Sequence, residues 1–293
     1  MKPPRAYRTA GAFRKALEDR LKRIAETEHV DLNRLRRQVA FDRLLARLFH
    51  AEPAPWALKG GYALELHFRT ARATVDIDLA LQGSITPDTG GRKANLIIRE
   101  MLQNAAGISL GDWLAYSVGL AVKDVDAAPY GGARYPVEAR MDARIFARFH
   151  VDVGTGDAVM GPPEPVKGRD WLRFAGIPTP SFRMIPREQQ FAEKLHAYTL
   201  PRRTPNSRVK DLIDLVLLIR SGNLAKERIA EAVRLTFERR KTHAVPSGLS
   251  APPAEWSKQF LEMAAECRLP ENMDEAFGIV GALFAATARD WQK

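Results

Sequence analysis

The run Thr74-Val75-Asp76-Ile77-Asp78-Leu79-Ala80-Leu81 constrains this chain more than any other. It alternates as a β-strand does, so Asp76 and Asp78 leave one face while Val75, Ile77 and Leu79 leave the other. The apolar face calls for a core. The acidic face sets two carboxylates side by side, where they repel each other and resist burial. Either that face is an exposed strand edge or a cation compensates it. Mg²⁺ takes one or two carboxylates and completes its shell with phosphate oxygens, which describes a nucleoside triphosphate site. The Asp-x-Asp pair alone leaves both readings standing.

The segment upstream makes the arrangement more specific. Trp56-Ala57-Leu58-Lys59 reads as a short strand ending at Gly60-Gly61, and a helical pattern follows from Ala63 to Phe68. Glycines there let the backbone turn tightly and approach a ligand closely. The helix start would aim N–H groups and its positive dipole end at a phosphate. Strand, Gly-Gly, helix and a strand bearing Asp-x-Asp together point to nucleotide chemistry. Asp152 also breaks an apolar strand, in Phe149-His150-Val151-Asp152-Val153-Gly154, where a polar strand end is the plain reading.

The rest of the chain divides by pattern. Residues 12–49 predict two helices, the second capped by Asp31, and Ala51-Glu52-Pro53-Ala54-Pro55 stops them. Leu114–Val122 and Val137–Val153 alternate like strands, with a turn expected near Gly131-Gly132, and Gly161–Pro180 reads as a long connection. From Pro186, expected at a first helical position, the pattern is helical to the end. The expectation is a bilobed α+β protein: a mixed-sheet lobe with N-terminal helices over 1–185, then a helical lobe over 186–293.

Two helices of that second lobe carry charges where apolar residues are expected. Gln189–Tyr198 places Phe191, Leu195 and Tyr198 on one face with Lys194 beside it, either snorkelling or pointing into a cleft. Val209–Ile219 is apolar almost all round, so it should be buried, yet it holds Asp211 and Asp214. A buried carboxylate needs a partner, and Lys194 is the candidate for Asp211. An ordinary structural salt bridge or a helix-start charge would also account for Asp211.

Composition narrows the partners. The 293 residues carry a formal net charge of +10, and residues 1–50 hold thirteen Lys/Arg against six Asp/Glu. Arg202, Arg203, Arg208 and Lys210 form a second basic stretch, and Arg239-Arg240-Lys241 a third. Solvated helix faces would look the same, but three clusters together suit a polyanion such as nucleic acid. The most apolar run, Ile279–Ala288, is about half of the ~20 residues a membrane span needs. The start of the sequence reads as charged helix rather than a leader. Cys267 is the single cysteine, so neither an internal disulfide nor a thiolate zinc cluster is available. A cytoplasmic location is expected.

Lys59-Gly60-Gly61 followed by Arg72-Ala73-Thr74-Val75-Asp76-Ile77-Asp78 resembles the first motif of the DNA polymerase β-like nucleotidyltransferases, and is closer to the AbiEii/MenT nucleotidyltransferase toxins. Glu193-Lys194-Leu195-His196-Ala197 and Lys210-Asp211-Leu212-Ile213-Asp214-Leu215 are similar to that family's later motifs. Tyr62 departs from the pattern, standing where the family commonly has Ser or Thr. The resemblance implies an enzyme moving a nucleoside monophosphate from an NTP to an acceptor. It implies Mg²⁺ on Asp76 and Asp78, with Lys59, Gly60, Gly61 and Thr74 at the nucleotide and Lys194 and Asp211 in catalysis, and a third carboxylate on a neighbouring strand, for which Asp152 is the candidate and Asp157 a weaker choice. It also implies tRNA as acceptor, gripped by residues such as Arg202, Arg203, Arg208, Lys210, Arg239 and Arg240, and a cognate antitoxin. Nucleotide transfer to a protein side chain or small molecule, or a basic nucleic-acid-binding regulator without catalysis, are the rival readings. Thr74, two residues before Asp76, is a position where a phosphate would oppose NTP binding.

Overall fold

A computed structural model describes residues 6–68, 70–83, 91–124, 129, 131–157, 160–201 and 208–291, the side chains of 289 and 290 excepted. Its first elements in chain order are α1 (Ala10–Glu28), α2 (Leu32–Leu48), β1 (Trp56–Lys59), α3 (Gly60–His67), β2 (Asp76–Leu81), α4 (Gly91–Ala106) and β3 (Ala115–Val118). Then come β4 (Lys123–Asp124), β5 (Gly132–Met141), β6 (Arg144–Thr155), β7 (Glu164–Lys167), β8 (Ser181–Met184), α5 (Arg187–Thr199), α6 (Val209–Arg220), α7 (Lys226–Arg240), α8 (Ser257–Cys267) and α9 (Met273–Trp291). The chain forms two compact units. One takes Met1–Leu58, Ala73–Gly156 and Pro165–Met184, and the other takes Lys59–Arg72, Asp157–Glu164 and Ile185–Lys293.

The first unit is built on a mixed sheet of order β3-β5-β6-β2-β1-β8-β7, with β4 beside β5. β2 runs parallel to β6 and β1 parallel to β8, while β3, β4 and β6 all run antiparallel to β5. Ile77 and Leu79 of β2 lie opposite Val151 and Val153 of β6, and all four are fully buried. That is the apolar face the alternation predicted for Ile77 and Leu79, but Val75, expected on it too, precedes β2 and is 54% exposed. Helix α2 packs on this part of the sheet, with Phe41 edge-on to Phe149 at 4.8 Å. Asp31 caps α2 as expected, accepting from the Arg34 N–H at 2.7 Å.

Several local expectations are corrected. Val137–Val153 is not one run: β5 and β6 fold back at Asp142-Ala143, both at φ 56°. The turn expected near Gly131-Gly132 does lie between antiparallel β4 and β5, with Gly131 at φ 78°; Gly132 opens β5, where a Cβ would sit 2.2 Å from the Val153 carbonyl oxygen, so only glycine fits. Helix α4 was not expected, although Ile98, Leu102 and Ala106 bury at four-residue spacing. The expected connection Gly161–Pro180 contains β7 and a 3₁₀ turn at Arg173–Ala175. Pro186 caps α5 rather than starting it.

Much of the N-terminal positive charge is used internally. Arg43 donates to Asp112 at 2.6 Å, and Arg47 makes a two-pronged pair with it at 2.7 and 2.8 Å. Asp112 is 1% exposed. Arg14 donates to the Met141, Arg144 and Ile145 carbonyls at the β5–β6 turn. These arginines stabilise the first unit rather than offering charge to a polyanion.

The second unit is helical. Helix α6 is buried along Val209 and Asp211–Leu218, as its apolar pattern predicted. α5 packs against α6 and α7, and α9 packs on both of those. Phe191, Leu195, Leu212, Val216, Val233, Phe237 and Phe260 belong to its core. Among the described residues, no helix is long and apolar enough to cross a membrane.

Candidate active site

In the sheet unit, three neighbouring strands bring charge to one face. Asp76 and Asp78 open β2 half-buried, as alternation requires. Parallel pairing sets Asp76 opposite His150 and Asp78 opposite Asp152. Antiparallel pairing then sets Asp152 opposite Arg134 of β5. Partners across a ladder share a face, so Asp76, Asp78, Asp152, His150 and Arg134 gather there. Asp152 thus lies beside the Asp-x-Asp pair, on a neighbouring strand as the family resemblance implies for a third carboxylate.

Arg134 was not foreseen. Its Nε and Nη2 donate to the two Asp152 oxygens at 2.8 and 2.7 Å, and Nη2 also reaches Asp76 Oδ2 at 3.1 Å. His150 Nδ1 lies 3.2 Å from Asp76 Oδ1. The hydrogen bond to Asp152 is the largest influence on the Arg134 guanidinium. With the charges of Asp152, Asp76 and Asp78 it raises the group above the ordinary arginine range. Alternation along β5 put Arg134 on one of its two faces, but only the register chose its partners.

Among the described residues, no three or more His, Cys, Asp or Glu form a ready-made metal cage. The donor set still suits a hard cation. It is all carboxylate oxygen, half-buried, on one face, and short of ligands in the way Mg²⁺ sites are when substrate phosphates supply the rest. Arg134 supplies the compensating charge that such a cluster requires. Thr74 donates to the Asp76 carbonyl at 3.4 Å and so borders the same strand.

The helical unit holds two ion-pair networks. In one, Arg72 grips Asp214 in a two-pronged pair at 2.9 and 2.8 Å, and Lys194 reaches Asp214 at 2.8 Å and Asp211 at 3.2 Å. The expected Lys194–Asp211 contact is present, but Asp214 is the closer partner. Burial disfavours the Lys194 ammonium, yet Asp214 and Asp211 outweigh it and raise the group. Burial likewise opposes the Asp214 carboxylate, and Lys194 and Arg72 overcome it, holding Asp214 below the usual carboxylate range. Asp211 Oδ2 is buried without a hydrogen bond, with Arg208 Nη1 3.5 Å away.

In the other network, Lys59 bonds Asp157 and lies 3.3 Å from Glu193, while Arg240 lies 3.3 Å from Asp157 and 3.4 Å from Glu193. The Arg240 side chain is 8% exposed, so it is drawn inward rather than standing on a basic surface. Arg239 and Lys210 are exposed and Arg208 half-buried. Arg202 and Arg203 lie outside the described residues. Helix α3 starts directly at Gly60, which takes φ 68°, and no side chain caps its first turn. Tyr62 is fully buried.

Residues 43–279 match the family model described as nucleotidyl transferase AbiEii toxin, type IV toxin–antitoxin system. No curated protein matches the sequence. Among solved structures, the chain is similar to JHP933 from Helicobacter pylori, with 15% identity and a TM-score of 0.47 over 88% of this chain and 93% of that one. A second H. pylori chain, described as a nucleotidyltransferase, is 13% identical with a TM-score of 0.45 over 90% and 98%.

Proposed function

The chain belongs to the AbiEii nucleotidyl transferase toxin family, and from that premise we propose that it moves a nucleoside monophosphate from an NTP to the 3′ end of tRNA, blocking translation until an antitoxin intervenes. The observation that carries the reading is the carboxylate face of β2 and β6. Asp76, Asp78 and Asp152 lie in adjoining registers there, in the family-matched part of the chain.

In this proposal the acceptor's terminal hydroxyl oxygen forms a bond to the α-phosphorus. The bridging bond from that phosphorus to the β-phosphate oxygen breaks, and pyrophosphate leaves with the electron pair. Asp152 takes the hydroxyl proton, which requires Arg134 to loosen its two-pronged hold. Until then Arg134 and His150 keep Asp76 oriented. Mg²⁺ held by Asp76 and Asp78 would offset the charge developing on the leaving group. In the helical unit, the family resemblance assigns Gly60, Gly61 and Lys194 to phosphate contacts, and Asp211 and Asp214 fix where the Lys194 ammonium stands. Positioning and electrostatics, rather than covalent catalysis, supply the rate.

The test is purified protein with MgCl₂, total tRNA and each α-³²P-labelled NTP in turn. Label in tRNA from wild type, lost in Asp76→Asn, is the expected result. Label in protein would move the acceptor to a side chain. Label retained by Asp76→Asn would overturn the site.

A further inference from the structure

Asp76 also forms part of the wall of a cavity of about 780 Å³ that lies wholly within the sheet unit. Arg37 from α2, Arg134 from β5, and Arg148 and His150 from β6 line it as well, and Val75, 54% exposed, gives it apolar surface. Three of these four basic side chains already have carboxylates. Arg134 holds Asp152 and Asp76, Arg148 donates to Glu138 at 2.8 Å, and His150 meets Asp76. Arg37 differs. Its Nε is buried with no hydrogen-bond acceptor, and no described side chain pairs with it. It is the one guanidinium on the cavity wall with no carboxylate among the described side chains, so an anionic ligand can pair with it.

The pairing says which ligand. A single guanidinium without a carboxylate of its own suits the single charge of a phosphodiester better than the several charges of a triphosphate. A guanidinium fork suits two phosphate oxygens, and apolar surface beside it suits a ribose or base. We propose that this cavity is the acceptor subsite. Arg37 holds the phosphodiester of the acceptor's 3′-terminal nucleotide, and Arg148 assists from the rim. The terminal hydroxyl is thereby placed on the Asp76 side. The inference rests on the transferase reading and names Arg37 as its positioning residue; a donor triphosphate is the rival occupant.

The test uses the full-length protein and a fluorescein-labelled RNA hairpin with a short single-stranded 3′ end closed by 3′-deoxyadenosine, which cannot be extended. Anisotropy titrations across a salt series compare wild type with Arg37→Gln, Arg37→Lys and Arg148→Gln. Thermal melts confirm that each variant is folded. Arg37→Gln should weaken hairpin binding roughly tenfold and lower the salt slope by about 0.7, the loss of one single-strand phosphate contact. Arg37→Lys should recover part of the affinity, and Arg148→Gln should cost a few-fold. Binding of a fluorescent, non-hydrolysable ATP analogue should stay within twofold in all of them. Unchanged hairpin affinity in Arg37→Gln would overturn the proposal, and so would a parallel loss of analogue binding, which would give the cavity to the donor. Transfer is scored separately on the hairpin ending in a free 3′-hydroxyl. Wild type that transfers nothing while binding still depends on Arg37 would sink the transferase reading and leave the phosphate site standing.

Discussion

Replacing Asp214 by alanine leaves Arg72 and Lys194 facing each other in the helical unit with their common counter-ion gone. Asp214 is 1% exposed and accepts from both cations at 2.8–2.9 Å. Asp211 remains, at 3.2 Å from Lys194 against 2.8 Å for Asp214. Breaking a buried pair from one side costs about 3–5 kcal/mol, because the stranded charge cannot reach water. At roughly 3 °C per kcal/mol for a unit of this size, the melting temperature should fall by roughly 10–15 °C. Asp214→Asn should cost nearly as much, since it keeps the volume and loses the charge. Adding Lys194→Met to Asp214→Ala should recover part of the loss by removing one stranded cation. The pH dependence has a definite sign. Lys194 and Arg72 hold the Asp214 carboxylate below its ordinary range, so its contribution is fully present above the unfolded value near ~4 and is lost as pH falls further. Wild type should therefore lose stability between pH 4 and more acidic values more steeply than Asp214→Ala. Urea denaturation followed by circular dichroism at several pH values measures both. A loss below about 1 kcal/mol, or identical acid limbs, would refute the reasoning.

Asp112→Ala should destabilise the sheet unit by about 3–5 kcal/mol, because it strands Arg43 and Arg47; differential scanning calorimetry would register it. Arg134→Gln should tighten Mn²⁺ binding several-fold in isothermal titration, since the guanidinium competes for Asp76 and Asp152, and weaker binding would count against Arg134 as the resident counter-charge. Gly60→Ala should cost about 1–2 kcal/mol in denaturant midpoint analysis, the penalty of a Cβ at φ 68°.

The sequence by itself determined what depends on neighbours along the chain. Period-two alternation put Asp76 and Asp78 opposite Ile77 and Leu79, because successive side chains of a strand must point to opposite faces. The cap at Asp31 and the burial of α6 follow from equally local rules. The four-residue spacing of Ile98, Leu102 and Ala106 in α4 is equally local. Tertiary structure decided what depends on register and on charge compensation over long sequence separations. Arg134 meets Asp152 because β5 pairs with β6 in one register, and a shift of one residue would send it to the other face. Arg72 meets Asp214 across 142 positions, and Arg47 meets Asp112 across 65. A guanidinium reads as a basic surface in sequence, and only packing shows whether water or a carboxylate receives it. So the net charge was fixed in advance, but Arg43, Arg47 and Arg240 went inward, while Arg37 meets no carboxylate among the described side chains.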